Sequence, residues 1–200
     1  MSDNHANQTV AAAQIASELH QAQQVARQLA ISSKNARAIV LRAGSQAAGL
    51  AVIANFYDEL ANETITLAKS INITALEIST HSVVEWRNSA VLNNLNLAYE
   101  QAESATYQND IVFFITEINA KQKLLDYRFG QLMSELRNKL GEIQQHMRAI
   151  DVIAVTSKLE AVRTGEFQGH LVEMADGIQV MANKIKEHVS HSISLLGNQK

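Results

Sequence analysis

The chain has 200 residues, a formal charge of −3 and a pI near 6.2, with 46% apolar and 5% aromatic residues. That balance carries no basic footprint for nucleic acid, and the absence of cysteine excludes disulfides, thiolate metal sites and cysteine nucleophiles. There is no proline and there are only eight glycines; since proline costs about 3 kcal/mol inside a helix, the composition predicts long unbroken helices packed by Ala, Ile and Leu.

In chain order, Met1-Ser2-Asp3-Asn4-His5 has neither the basic nor the apolar region of a signal peptide. Residues 1–7 are expected to be disordered and the chain cytoplasmic. No apolar run reaches the roughly 18–20 residues needed to span a bilayer. A first helix is expected over 8–43, with a weak seam at Ala11, Ile15, Glu18, Ala22, Val25 and Leu29. Gly44 and Gly49 bracket a turn at 44–49. A second helix over 48–104 carries Leu50, Ile53, Tyr57, Leu60, Thr64, Leu67, Ile71 and Ile78 at near-heptad spacing. The polar stretch Glu103–Asp110 reads as the next turn, near position 106, ending in an Asn-Asp pair able to cap a helix.

The third helix, 110–164, has the clearest seam: Leu125, Phe129, Leu132, Leu136, Leu140, Ile143, Met147, Ile150 and Ala154. Spacing near 3.5 residues over about four heptads is that of a coiled coil. Gly130 and Gly141 interrupt this helix at about 1 kcal/mol each; they read as close-packing points in preference to flexible spots. Gly165 and Gly169 mark a turn at 165–169, followed by a fourth helix over 168–196. The expected fold is all-α: a long antiparallel four-helix coiled-coil bundle made of two helical hairpins, 8–105 and 106–197, forming one elongated domain. The central helices would be about 80 Å long. The shorter outer helices leave the distal part either two-stranded or paired with a second chain.

Around the two turns the sequence resembles a known family. The first turn is flanked by Asn35-Ala36, Arg42-Ala43-Gly44, Gly49-Leu50-Ala51-Val52-Ile53-Ala54 and Leu60-Ala61. The second is flanked by Ile153-Ala154-Val155-Thr156, Glu160-Ala161-Val162-Arg163-Thr164-Gly165-Glu166, Ala175-Asp176 and Ala182. Both segments resemble the hairpin tip of the cytoplasmic signalling domain of methyl-accepting chemotaxis receptors. The copies share Arg42/Arg163, Gly44/Gly165, Leu50/Leu171, Ala54/Ala175, Ala61/Ala182 and Asn62/Asn183, each pair 121 positions apart. They depart from the family differently: its tip glutamate is kept as Glu160 but is Ile39 in the first copy, and its asparagine is kept as Asn35 but is Thr156 in the second.

The resemblance implies a non-catalytic signalling protein whose turns bind a chemosensory histidine kinase, its adaptor or chemoreceptors. Two hairpins in one chain would mimic a receptor dimer, a pairing favoured by effective concentration. The implied contact residues are Asn35, Arg42, Gly44, Val52, Glu160, Arg163, Gly165 and Glu166. Each has a plainer reading too. Arg42 and Arg163 suit the C-terminal dipole of a helix, and Glu160 stands three residues before Arg163, the spacing of an intrahelical ion pair.

No catalytic, metal or cofactor residue is expected. His188 and His191 are three apart and Glu142 and His146 four apart, but no Glu-x-x-His pair of the di-iron type occurs. The turns lack the lysine and preceding strand of a phosphate loop. Val112-Phe113-Phe114-Ile115 is expected to cover the distal end or to form a dimer contact, and Trp86 to sit half-buried in the seam. A homo-oligomer is one expectation for the partners. Two other functions fit the composition: a structural coiled-coil spacer or assembly subunit, and a membrane-active bundle inserting Ala47–Ala54.

Overall fold

Forty-two residues without glycine or proline open the chain as one helix, α1 (Ser2–Ala43). It is followed by α2 (Ala48–Gln101), α3 (Gln108–Ala161) and α4 (Gln168–Gly197), with 3₁₀ turns at Gly44–Ala47 and Val162–Phe167. The computed structural model describes residues 2–102 and 108–197, with side chains from Val10 onward except Gln46 and Gly197. The chain is all-α, and no strand occurs among the described residues. Helix begins at Ser2, not near residue 8: nothing in 1–7 breaks a helix, so the expected disordered stretch continues α1 backwards. The turn expected near position 106 lies outside the described residues.

α1 packs against α2 and α4, and α3 against the same two helices; the two 3₁₀ turns touch each other. α2 and α3 run antiparallel, since bonded partners rise along one as they fall along the other: Tyr57 with Ser157 at 2.8 Å, Thr74 with Glu135 at 3.4 Å, Asn88 with Gln122 at 2.8 Å. The core follows the α3 seam from Leu132 through Leu136, Leu140, Ile143, Met147 and Ile150 to Ala154. In α2, Ile53, Leu60 and Leu67 are only half-buried, and Ala54, Ala61 and Ala68 take the centre. Alanine fills the narrow interior while the larger aliphatic covers its flank. Buried Ser33, Thr64, Thr74 and Ser82 each donate to the carbonyl four residues earlier, so their hydroxyls enter the core satisfied.

Unequal lengths shape the other end. α2 has 54 residues against 42 in α1, and α3 has 54 against 30 in α4. The last 12 or so residues of α2, and the part of α3 beside them, therefore run on as a two-helix arm. There the α2–α3 seam loosens: Leu92, Leu95, Ile111, Ile115 and Ile118 are half-buried, where the seam in the body is buried.

Two expectations are corrected. Trp86 is 54% exposed, because Glu85 and Asn88 occupy the buried positions at that level. Gly130 and Gly141 are not close-packing points: a β-carbon at either would meet nothing within 4 Å.

Candidate functional site

The site predicted from the sequence falls at the end of the molecule where the turns meet. Each turn rests on a glycine in the left-handed region, Gly44 at φ 65° and Gly165 at φ 57°, which other residues adopt at a cost. Thr164, buried beside Gly165, donates its hydroxyl to the Ala161 carbonyl at 2.6 Å and so satisfies one orphan acceptor at the end of α3.

Of the eight predicted contact residues, Asn35, Arg42, Gly44, Val52, Arg163, Gly165 and Glu166 are exposed and Glu160 is half-buried. All flank the turns, Asn35 and Val52 being the farthest from a turn glycine. Glu160 and Arg163 form the intrahelical pair that their spacing predicts, Nη1 to Oε1 at 3.6 Å. With Arg163 mostly in water this pair contributes little to stability.

Glu160 also reaches across to α2. Its Oε2 lies 3.2 Å from where a β-carbon on Gly49 would stand, so that glycine gives the carboxylate its room. The positions 121 residues away are Ile39, half-buried against the apolar cluster of Val40 and Leu50, and His170. The glutamate is thus retained in the copy where a glycine faces it, and an aliphatic replaces it where the site closes.

Below the turns all four helices line a cavity of about 20 Å³, Ala36, Tyr57, Ser157 and Ile178 among its walls. That volume has room for about one water molecule and not for a substrate. Tyr57 and Ser157 hydrogen-bond across it, while their counterparts 121 positions away are Ile178 and Ala36. Burial pushes the Tyr57 phenol up to about 12, against a smaller lowering by the Ser157 bond.

Sequence reasoning missed the apolar side of this site. Val152, Val155, Leu159 and Val162 recur at spacings of three, four and three, out of phase with the buried seam of Ile150, Ala154, Ser157 and Ala161. All four face outward, with Leu159 67% exposed. Their counterparts on α1 are Ile31, Lys34, Ala38 and Leu41, so one side of the end is continuously aliphatic and the other is interrupted by a lysine. The signal was a second heptad phase running beside the first.

At the far side of the body, Glu18 of α1 lies between two histidines of α4, with its Oε2 2.7 Å from His188 Nδ1 and its Oε1 3.0 Å from His191 Nδ1. The His188 bond lowers the Glu18 pKa against burial, which raises it, and His191 adds to the lowering. Among the described residues no group of three or more His, Cys, Asp or Glu side chains is arranged to hold a metal ion, and no helix is long and apolar enough to cross a membrane. No protein-family profile, curated protein or solved structure matches the chain.

Proposed function

We propose that the chain is a non-catalytic signalling adaptor: two helical hairpins closed into one long antiparallel four-helix coiled-coil bundle that presents its glycine-turn end to chemosensory kinase, adaptor or receptor partners. One observation carries the reading. The polar residues that resemble the chemoreceptor tip gather at a single end, all exposed but the half-buried Glu160, beside an outward aliphatic stripe unrelated to the core. Exposed apolar surface rimmed by charge is the usual form of a protein-binding patch. Arg42, Arg163 and Glu166 would set register, and Val155, Leu159 and Val162 would supply the buried area.

The test is affinity capture from the native cell extract with wild type beside Arg42→Ala/Arg163→Ala and Leu159→Glu variants. A histidine kinase, its adaptor or receptors retained by wild type and lost with both variants is the expected result. Gly49→Ala sharpens it by displacing the Glu160 carboxylate, a flexible group, while leaving the fold intact. Capture indifferent to all three variants would leave the bundle a structural spacer or assembly subunit.

A further inference from the structure

The turn end accounts for one end of the molecule and leaves the two-helix arm unexplained. In the body, α2 and α3 are covered by α1 and α4. α4 stops about 24 residues short of the start of α3 and α1 about 12 residues short of the end of α2, yet beyond both the sequence does not become polar. Val91, Leu97, Tyr99, Val112, Phe113 and Phe114 are all exposed, with Phe113 65% exposed. The seam residues Leu92, Leu95, Ile111, Ile115 and Ile118 are half-open. An apolar surface of this kind marks a contact.

Charge identifies the occupant. From Val91 to Glu117 the sequence holds Glu100, Glu103, Asp110 and Glu117 and neither lysine nor arginine. At the root of the arm stand Arg87, Lys121 and Lys123, all exposed. The arm is therefore acidic at its outer end, and its cations stand only at the root, interleaved with Glu85, Glu117 and Asp126. A parallel neighbour would set like charges side by side. An antiparallel neighbour of the same kind sets the acidic end of each arm against the cations at the root of the other. An anionic membrane surface would repel the acidic end.

We infer that the arm is a self-association surface: two copies join arm to arm in antiparallel fashion, each arm filling the two positions that α1 and α4 leave vacant in the other. The overlap is about 18 Å long, the rise of 12 helical residues. Four helices then surround the seam along that overlap. The contact is isologous, so every pair forms twice. The glycine-turn ends point away from each other at the two extremes of the assembly. The inference is independent of what those ends bind.

Light scattering with size exclusion on the full chain at micromolar concentration tests it. The expected mass is twice the 22.0 kDa of one chain. Lys121→Glu/Lys123→Glu and Glu100→Lys/Asp110→Lys variants each place like charges together and should dissociate, weakening association by about tenfold or more. All four residues are exposed, so circular dichroism should stay unchanged. An equimolar mixture of the two variants should regain the double mass, because the acidic end and root of the first then meet the basic root and end of the second. A monomeric wild type would overturn the proposal, as would a dimer unaffected by either variant, a mixture that fails to recover, or a monomer that binds phosphatidylcholine vesicles through the arm.

Discussion

Four glycines have opposite consequences. Gly44 and Gly165 occupy the left-handed region, Gly165 with the further unusual ψ of −118°. Replacing either by alanine should cost about 1–3 kcal/mol in backbone strain, and at Gly44 strain is the only cost, since a β-carbon there meets no neighbour. Gly130 and Gly141 sit in regular helix with open space around them, so alanine there should stabilise by about 1 kcal/mol each. Urea unfolding of the four single variants measures both signs in one series. Tyr57 adds a pH test. Its folded pKa is raised to about 12, so the neutral phenol stabilises the fold fully below its ordinary value of about 10. That contribution is lost as pH rises through 10 towards 12. Tyr57→Phe should lose about 1 kcal/mol at neutral pH with the Ser157 bond, and should lack this alkaline decline.

Each helix is held by polar contacts whose consequences differ with position. His81 of α2 lies against Phe129 of α3, ring centroids 6.1 Å apart, with both ring nitrogens buried and without a well-formed hydrogen bond. Burial, then the Arg128 charge, lower its pKa; Asp126 and the Leu125 backbone oppose them. A depressed imidazole stabilises above its unfolded value of about 6.5 and loses that contribution as pH falls towards the folded value. His81→Leu should therefore flatten the stability profile just below pH 6.5, as thermal melts across that range would reveal. α4 is tied to α3 by Lys158–Asp176 at 2.5 Å and by Lys186 with Asp151, and to α1 by Glu18. The elements at the turn end were legible because glycine marks both interruptions there, and three of the four helix starts and stops around the turns follow from Gly44 and Gly165. Helical phase was less legible in α2, where Ala54, Ala61 and Ala68 look no different from surface alanines until neighbouring helices close over them. Trp86 was misplaced for the same reason: apolarity suggested the seam, while geometry gave it to Glu85 and Asn88. At the candidate site the polar residues were readable from the turn pattern. The Val152–Val162 stripe was not, because the core seam explained the periodicity of α3 and its second phase drew no attention.

Across the whole molecule, order should fall from the body to the arm. In the body α1 and α4 pack against α2 and α3, and the seam residues Leu136, Leu140, Ile143, Met147 and Ile150 are wholly buried. The root of the arm replaces apolar contact by a polar ladder, in which Asn88 donates to Gln122 and Gln122 donates to Glu85. Beyond that ladder the seam is half-open. Local opening free energy tracks buried apolar contact, so amide exchange should be slowest in residues 136–150 and their partners in α2, and fastest in 89–101 and 108–121. The gradient has a physical origin in helix length alone: the second hundred residues spend 24 more positions in α3 than α4 can cover. Hydrogen exchange followed by mass spectrometry at two protein concentrations measures it directly. Dilute protein should show arm amides exchanging by orders of magnitude faster than those of the body. At a concentration where copies associate, protection should rise in the arm and stay unchanged at Gly44 and Gly165. Uniform exchange along α2 and α3 at low concentration would mean that two helices suffice there, and the apolar residues of the arm would need another explanation.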